Sequence, residues 1–291
     1  MANLKEIRNR IASVGSTMQI TSAMKMVSAA KLKRAQDAVT KLRPYAGKLK
    51  EILGNLSAVA DASENKLAKL NDSKSILIVA ISSNRGLCGG FNNNIIKKVQ
   101  HLIASDYQAF DVKVLCLGKK VKDVIKKTPN YFINDELAIV EDIFLDLTFE
   151  RTGLIATQVM SLYEQQQFSK IVVVYNSFIN AASQSIEVEQ FLPLISPIPE
   201  NNSNTVDYVF EPNKQELVSV LIPKSLKIQL FKALLDSNAS EHGARMTAMH
   251  KATDNAKDLQ KSLKLTYNKA RQAAITNEIL EIVGGAEALN G

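Results

Sequence analysis

The chain has 291 residues, an ordinary apolar share of 46% and a net charge of +7, which argues against disorder and fits one large or two smaller domains. It has no run of eighteen apolar residues to span a membrane as a helix, and its two cysteines stand in neither a metal nor a redox spacing, which fits a reduced setting. The charge is uneven: residues 1–50 hold eleven Lys/Arg against two acids, a net +9, and the other 241 residues sum to −2. Such a basic arm suits an acidic partner: nucleic acid, an anionic membrane surface or acidic protein loops.

Residues 4 to about 60 read as one long helix. At alternating three-four spacing the seam runs Leu4, Ile7, Ile11, Val14, Met18, Thr21, Lys25, Ser28, Leu32, Ala35, Val39, Leu42, Ala46, Leu49, Leu53, Leu56, Ala60, with fourteen of seventeen positions apolar. From Thr21 to Ser28 the seam turns polar, while Ala23, Met24, Met26 and Val27 sit on another face. Either the seam shifts there or this segment faces a different partner. Pro44 should kink the helix or mark a joint.

A polar linker, Asp61 to Lys74, precedes the apolar run Ser75 to Ser82, which reads as a buried strand. A turn, Ser83 to Gly90, leads to a helix from Phe91 to Ile103. Further elements are a strand from Asp111 to Leu117, a short helix from Lys119 to Lys127, a longer helix from about Phe149 to Gln166 and a strand from Lys170 to Asn176. Ser185 to Phe191 alternates as an antiparallel edge strand would. Strands alternating with helices imply an α/β domain with a largely parallel sheet. Its exit is marked by Pro193, Pro197 and Pro199, followed by Asn201 to Asn204. Fifteen of the seventeen aromatics lie between Phe91 and Phe231, as expected of a compact core carried between two long helical ends.

The final helices begin near Pro212 and Asn213, with Pro223 dividing a short one from a long one. Lys224 to Val283 as one helix would reach roughly 90 Å at about 1.5 Å per residue. Its heptad seam reads Met249, Ala252, Ala256, Leu259, Leu263, Thr266, Ala270, Ala273, Asn277, Leu280, Gly284, with many small residues that permit close helix–helix approach. The two ends would pair as an antiparallel coiled coil. The expected organisation is 1–60 as the N-terminal coiled-coil helix, 61–211 as linker and Rossmann-like α/β domain, and 212–291 as the C-terminal coiled-coil helix.

Little in the sequence offers catalysis. The turn Arg85-Gly86-Leu87-Cys88-Gly89-Gly90 lies between a strand and a helix, where phosphate loops occur. Its spacing is neither G-x-G-x-x-G nor G-x-x-x-x-G-K-[ST], and no acid closes the strand, so a tight turn packing helix on strand is the preferred reading. Cys88 at a helix start invites a lowered thiol pKa, but no base stands near it in sequence and a packed thiol is preferred. His101, His242 and His250 make no metal spacing, and His101 and His250 read as surface residues. Glu278 and Glu281 share a helix face and read as partner contacts. Arg8, Arg10, Lys25, Lys31, Lys33 and Arg34 spiral around a helix without interleaved aromatics, which argues against nucleic acid.

The sequence from Ile275-Thr276-Asn277-Glu278 through Glu281-Ile282-Val283-Gly284-Gly285-Ala286-Glu287-Ala288 resembles the C-terminal signature of the gamma subunit of F-type ATP synthases. Ala244-Arg245-Met246-Thr247-Ala248-Met249, Tyr267-Asn268-Lys269-Ala270-Arg271-Gln272, Ile7-Arg8-Asn9-Arg10-Ile11 and Ile20-Thr21-Ser22-Ala23-Met24-Lys25-Met26-Val27 are similar to the same family. So is Asn84-Arg85-Gly86-Leu87-Cys88-Gly89-Gly90-Phe91-Asn92, although Asn84 replaces the family's usual acid and puts any ionic role there in doubt. The resemblance covers essentially the whole chain.

The resemblance implies a non-catalytic central-stalk rotor without cofactor or metal. It also implies terminal helices paired inside a ring of three alpha and three beta subunits, with one such chain per ring. The α/β middle would lie near the membrane against the epsilon subunit and the c-subunit ring. Ring contacts are expected at Met24, Lys25, Arg245, Arg271, Gln272, Thr276 and Glu278. Neither nucleic-acid binding nor homo-oligomers are expected. The absence of an import leader points to a bacterial plasma membrane, with the chain peripheral on the cytoplasmic side. Cys88 and Cys116 lie outside the redox insertion of the plastid form, so no thiol switch is expected.

Overall fold

The computed structural model describes residues 4–57, 66–133, 143–194 and 214–290. Its elements are α1 (Leu4–Ser57), β1 (Ser75–Ile81), α2 (Phe91–His101), β2 (Asp111–Leu117), α3 (Lys119–Ile125), α4 (Phe149–Glu164), β3 (Lys170–Phe178), β4 (Gln184–Leu192) and α5 (Lys214–Asn290). By contacts the chain divides into two units, one of residues 1–28 with 246–291 and one of residues 29–245. The helices α1 and α5 each contribute to both.

The larger unit is built on a four-stranded sheet in the order β2-β1-β3-β4. β1 pairs in parallel with β2 and β3, and β4 closes the edge antiparallel to β3. The mostly parallel sheet and its antiparallel edge are as expected. Alternate residues of each strand point to opposite faces, so apolar runs such as Ile76 to Ile81 feed two cores at once. Leu77, Val79, Ile81, Ile171, Val173 and Tyr175 pack with α4 and with Leu226, Leu230 and Leu234 of α5. Ile78, Ala80, Val114, Val172 and Val174 pack with Ile95 and Val99 of α2 and with Val121 and Ile125 of α3. The result is a sheet covered by helices on both faces. Here α5 is buried almost all round, because it also meets α1: Lys224 Nζ sits 5.8 Å from the centre of the Tyr45 ring.

The smaller unit is an antiparallel helix pair. Lys25 Nζ lies 3.3 Å from His250 Nδ1, Thr253 Oγ1 lies 2.8 Å from Thr21 Oγ1, and a Cβ on Gly15 would meet Gln260 Nε2 at 3.0 Å. Each step down α1 is thus matched by a step up α5.

Several expectations need correction. The seam of α1 does not shift at its polar stretch: Thr21 and Ser28 are themselves buried within it, and Met26 and Val27 stand exposed on the outside. Their hydroxyls are satisfied locally, Thr21 Oγ1 donating to Met18 O at 3.1 Å and Ser28 Oγ to Met24 O at 2.7 Å. Beyond Ala256 the seam of α5 keeps Leu263 and Ala270 half-buried as expected, but its alternate positions move on by one residue. Gln260, Tyr267 and Ala274 are half-buried, whereas Leu259, Thr266 and Ala273 are exposed. Asn277, Leu280 and Gly284 are exposed as well, so the buried stripe ends at Ala274.

Pro223 does not divide two helices, since α5 runs through it, just as α1 runs through Pro44. Each proline deprives the residue four back of a helical bond. Those residues, Thr40 and Ser219, are exposed, where water replaces the lost donor, and the buried neighbours Ile222 and Leu226 hold α5 in place. The helix α2 ends in a wide turn at Leu102–Asp106, closed by Tyr107 N donating to Leu102 O, rather than as an α-helix to Ile103. The start of the last helix near Pro212, the linker at 61–65 and the prolines Pro197 and Pro199 fall outside the described residues. So do the side chains of Leu53, Leu56 and Ala60.

Candidate functional site

The turn after β1 is the place where an α/β sheet most often holds a ligand, beside the point where neighbouring strands leave in opposite directions. Here that place is filled by the chain itself. Ser240 Oγ of α5 donates to Asn176 O at the end of β3, and Asn176 Nδ2 donates to Phe91 O at the start of α2. Arg245 Nη2 donates to Arg85 O at 3.1 Å and to Gly86 O at 3.2 Å. A phosphate loop aims N–H groups at an anion. This loop aims two carbonyls at a guanidinium, which is the opposite polarity and suits a cation.

The amides at the start of α3 are also taken. Lys119 N donates to Asn84 Oδ1 at 3.0 Å, Lys120 N to Ser83 O at 3.1 Å and Val121 N to Ser82 Oγ at 3.0 Å. Asn84 therefore caps a helix with a neutral amide oxygen, a role that needs no acid. Inside the turn, Asn92 Oδ1 accepts from Ser83 N at 3.0 Å and Asn92 Nδ2 lies 3.1 Å from Cys88 Sγ. Burial raises the Cys88 thiol pKa above its ordinary value, and the thiol is packed as expected. Burial likewise pushes Cys116 up to about 12.

The turn glycines do not pack helix on strand as expected: a Cβ on Gly90 would meet only Asn94 of its own helix, at 3.3 Å. A Cβ on Gly86 would meet nothing nearer than Lys120 Cε at 4.0 Å, and Gly89 has open space but a φ of 61°. The close approach is at Gly118, where a Cβ would overlap the Ser82 carbonyl. That glycine drew no notice in the sequence because no motif contains it.

Of the seven expected contact residues, Arg245 stands apart in the larger unit. It is only 7% exposed and forms an ion pair with Glu241 at 2.5 Å. Burial raises the Glu241 carboxyl, opposed by Arg245, Lys31 and Arg85. The Glu-x-x-x-Arg spacing was legible as a helical pair, but its burial was not. In the smaller unit Lys25 and Met24 are half-exposed, and Lys25 faces His250, whose Nδ1 is 3.4 Å from Asp254. Arg271, Gln272, Thr276 and Glu278 are all exposed. At 3.6 residues per turn Arg271 and Glu278 flank the buried stripe, while Gln272 and Thr276 lie opposite it. Glu281 is exposed beside them, and His101 and His250 are on the surface as expected.

These exposed polar residues share the end of α5 with Ile275, Ile279, Leu280, Ile282 and Val283, each at least 47% exposed. On α1 the exposed apolar residues Ile20, Met26 and Val27 form a second such surface. Among the described residues no group of three His, Cys, Asp or Glu has the geometry to hold a metal ion, and no helix is long and apolar enough to cross a membrane.

A family profile described as ATP synthase matches residues 3–289. The ATP synthase gamma chain of Christiangramia forsetii is 57% identical and that of Flavobacterium psychrophilum 58% identical, each over the whole of both chains. Among solved structures, a chain from the central stalk and c-ring of the Tetrahymena thermophila mitochondrial ATP synthase matches 80% of this chain and 99% of its own, with a TM-score of 0.58 and 25% identity. A chain of the Euglena gracilis mitochondrial ATP synthase matches 98% of this chain and 94% of its own, with a TM-score of 0.67 and 22% identity, a likeness of fold. Identity above half over the full length, with the same two long helices and sheet, places the chain in the family of ATP synthase gamma chains, the non-catalytic central-stalk rotor subunits of F-type ATP synthases.

Proposed function

We propose that the paired ends of α1 and α5 turn inside a ring of three alpha and three beta subunits, one such chain per ring, and force different conformations on the beta catalytic sites. The segments 1–60 and 212–291 serve as the shaft, and 61–211 serves as the part that meets the epsilon subunit and the c-subunit ring. The complex works at a bacterial plasma membrane, with this chain peripheral on its cytoplasmic side.

The observation that carries this reading is the last stretch of α5. Its buried stripe stops at Ala274, yet the helix continues to Asn290 with Ile275, Ile279, Leu280, Ile282 and Val283 exposed. An isolated helix end has no reason to carry such a set of large apolar side chains, and a surrounding ring supplies one. Met24, Lys25, Arg271, Gln272, Thr276 and Glu278 are the contacts proposed on the shaft, and Arg245 a contact at its base. Charged contacts set the torque coupling, and the apolar tip acts as a loose bearing.

ATP hydrolysis by purified alpha and beta subunits, with and without the chain at one copy per three beta, tests the reading. A stable complex with sustained turnover is expected. Failure to join the ring or to change turnover refutes it. Neutralising Arg271 and Glu278 is expected to weaken coupling while leaving the chain folded.

A further inference from the structure

Glu241 is 9% exposed, and the contacts proposed above do not use it. Its carboxylate accepts from Arg245 Nη1, one helical turn on. The other amino group of the same guanidinium donates to Arg85 O and Gly86 O. Arg85 O also receives the Ser83 hydroxyl at 2.6 Å. Carbonyl oxygens aimed at one point repel each other unless a cation stands between them. A guanidinium does this better than an ammonium because its planar fork offers donors in fixed directions. Buried without a counter-charge, that guanidinium would itself be costly. Glu241 supplies the counter-charge, and Lys31 and Arg85 face it from α1 and from the loop.

The loop so held contains Leu87 at φ 63° and Gly89 at φ 61°. A left-handed backbone at a bulky residue is strained and persists only where its surroundings hold it. The conformation exposes the Leu87 side chain, 65% accessible, and keeps Cys88 inside.

We propose that Glu241 is a positioning residue, which acts through Arg245 to clamp the Arg85–Gly90 loop in the arrangement that presents Leu87 outward. Its effect on coupling rests on the rotor reading above. The loop conformation does not, and it is measured separately.

The test on the full chain is Glu241→Gln, with maleimide labelling of Cys88 followed by mass spectrometry and Cys116, inside the sheet, as internal reference. Local opening of the loop is expected to speed Cys88 labelling about tenfold, with Cys116 unchanged and a cooperative melt retained. Labelling of Cys88 at the native rate overturns the proposal. Should Glu241→Gln fail to fold, Arg245→Lys keeps the charge and removes the fork. Faster Cys88 labelling is then expected, and a native rate overturns the clamp. The exchanged pair, Glu241→Arg with Arg245→Glu, keeps an ion pair but turns a carboxylate toward two carbonyls. It is expected to leave the loop open; a native labelling rate in that double variant shows that the ion pair alone matters and also overturns the clamp. In the assembled ATP synthase, Glu241→Gln is expected to lower ion pumping per ATP hydrolysed. An open loop with full pumping upholds the clamp and removes it from coupling, whereas a chain that never joins the ring refutes the rotor reading alone.

Discussion

The Ser82 carbonyl occupies the space that a side chain on Gly118 would need. Gly118 follows β2 at φ 110°, and Ser82 N donates to Leu117 O at 2.8 Å, so the ends of two neighbouring strands are drawn together at this point. Gly118→Ala therefore meets both a backbone clash and a forbidden φ. A loss of about 3 kcal/mol or more is expected in urea denaturation.

Gly15 presents the opposite case. Its added Cβ would meet Gln260 Nε2 at 3.0 Å, the far end of a flexible side chain that can swing aside. Alanine there removes the entropic cost of a helical glycine. Gly15→Ala is expected to stabilise the chain by about 0.5–1 kcal/mol, seen as a higher melting temperature.

Asp236 is 4% exposed, and its Oδ1 has no hydrogen-bond partner among the described residues. Lys232 lies close, but its ammonium also pairs with Glu189 at 3.6 Å. Burial raises the Asp236 carboxyl above its ordinary value, with Lys232 and Arg43 opposing. A carboxyl whose pKa is raised by folding favours the folded state below the ordinary carboxylate range and loses that contribution as pH rises through the raised value. Asp236→Asn is expected to raise the melting temperature at pH 8 by about 2–4 °C, with the gain vanishing near pH 3. Differential scanning calorimetry at the two pH values decides it.

His242 titrates with the other sign. Its Nδ1 is buried without a partner among the described residues, and burial, with Arg245 and Lys31 adding to it, lowers its pKa to about 4. The unfolded chain takes up this proton near the ordinary histidine value and the folded chain does not, so stability falls as pH drops from about 6.5 toward 4. His242→Gln is expected to flatten that part of the stability profile in chemical denaturation at stepped pH.

Among the described residues those beyond Ala274 contribute no buried stripe, so a chain ending at Ala274 is expected to melt at its native temperature. The same truncation removes Thr276, Glu278 and the exposed isoleucines. In a complex with alpha and beta subunits it is expected to weaken the coupling of hydrolysis to ion movement. Loss of folding instead of coupling would show that the tip is structural.

The seam of α1 was legible from Leu4 to Met18 and from Leu32 to Leu49, but across Thr21, Lys25 and Ser28 the spacing left a shifted seam open, because polar residues stand at the seam positions while Met24, Met26 and Val27 offer an apolar face beside it. The strands β1 and β3 were legible because unbroken apolar runs such as Ile76 to Ile81 and Ile171 to Tyr175 have few other homes than a sheet buried on both faces. Along α5 Met249, Ala252, Ala256, Leu263 and Ala270 were legible, but the alternate positions between them were not. Leu259 with Gln260, and Thr266 with Tyr267, offer two seams one residue apart, and the apolar one loses because Gly15 on α1 leaves room for the glutamine at its own level.

By itself, the sequence determined where helices and strands form, since periodicity and apolar runs act within a few residues of one another. Its signatures also determined the family. Only the tertiary structure decided that α5 runs unbroken through Pro223, that Gly118 rather than the turn glycines permits the close approach, and that Arg245 is buried facing two carbonyls. Each of these depends on a partner far away in the chain: Arg245 and Arg85 are 160 residues apart. Local pattern carries no information about which distant group will neutralise a charge or fill a space.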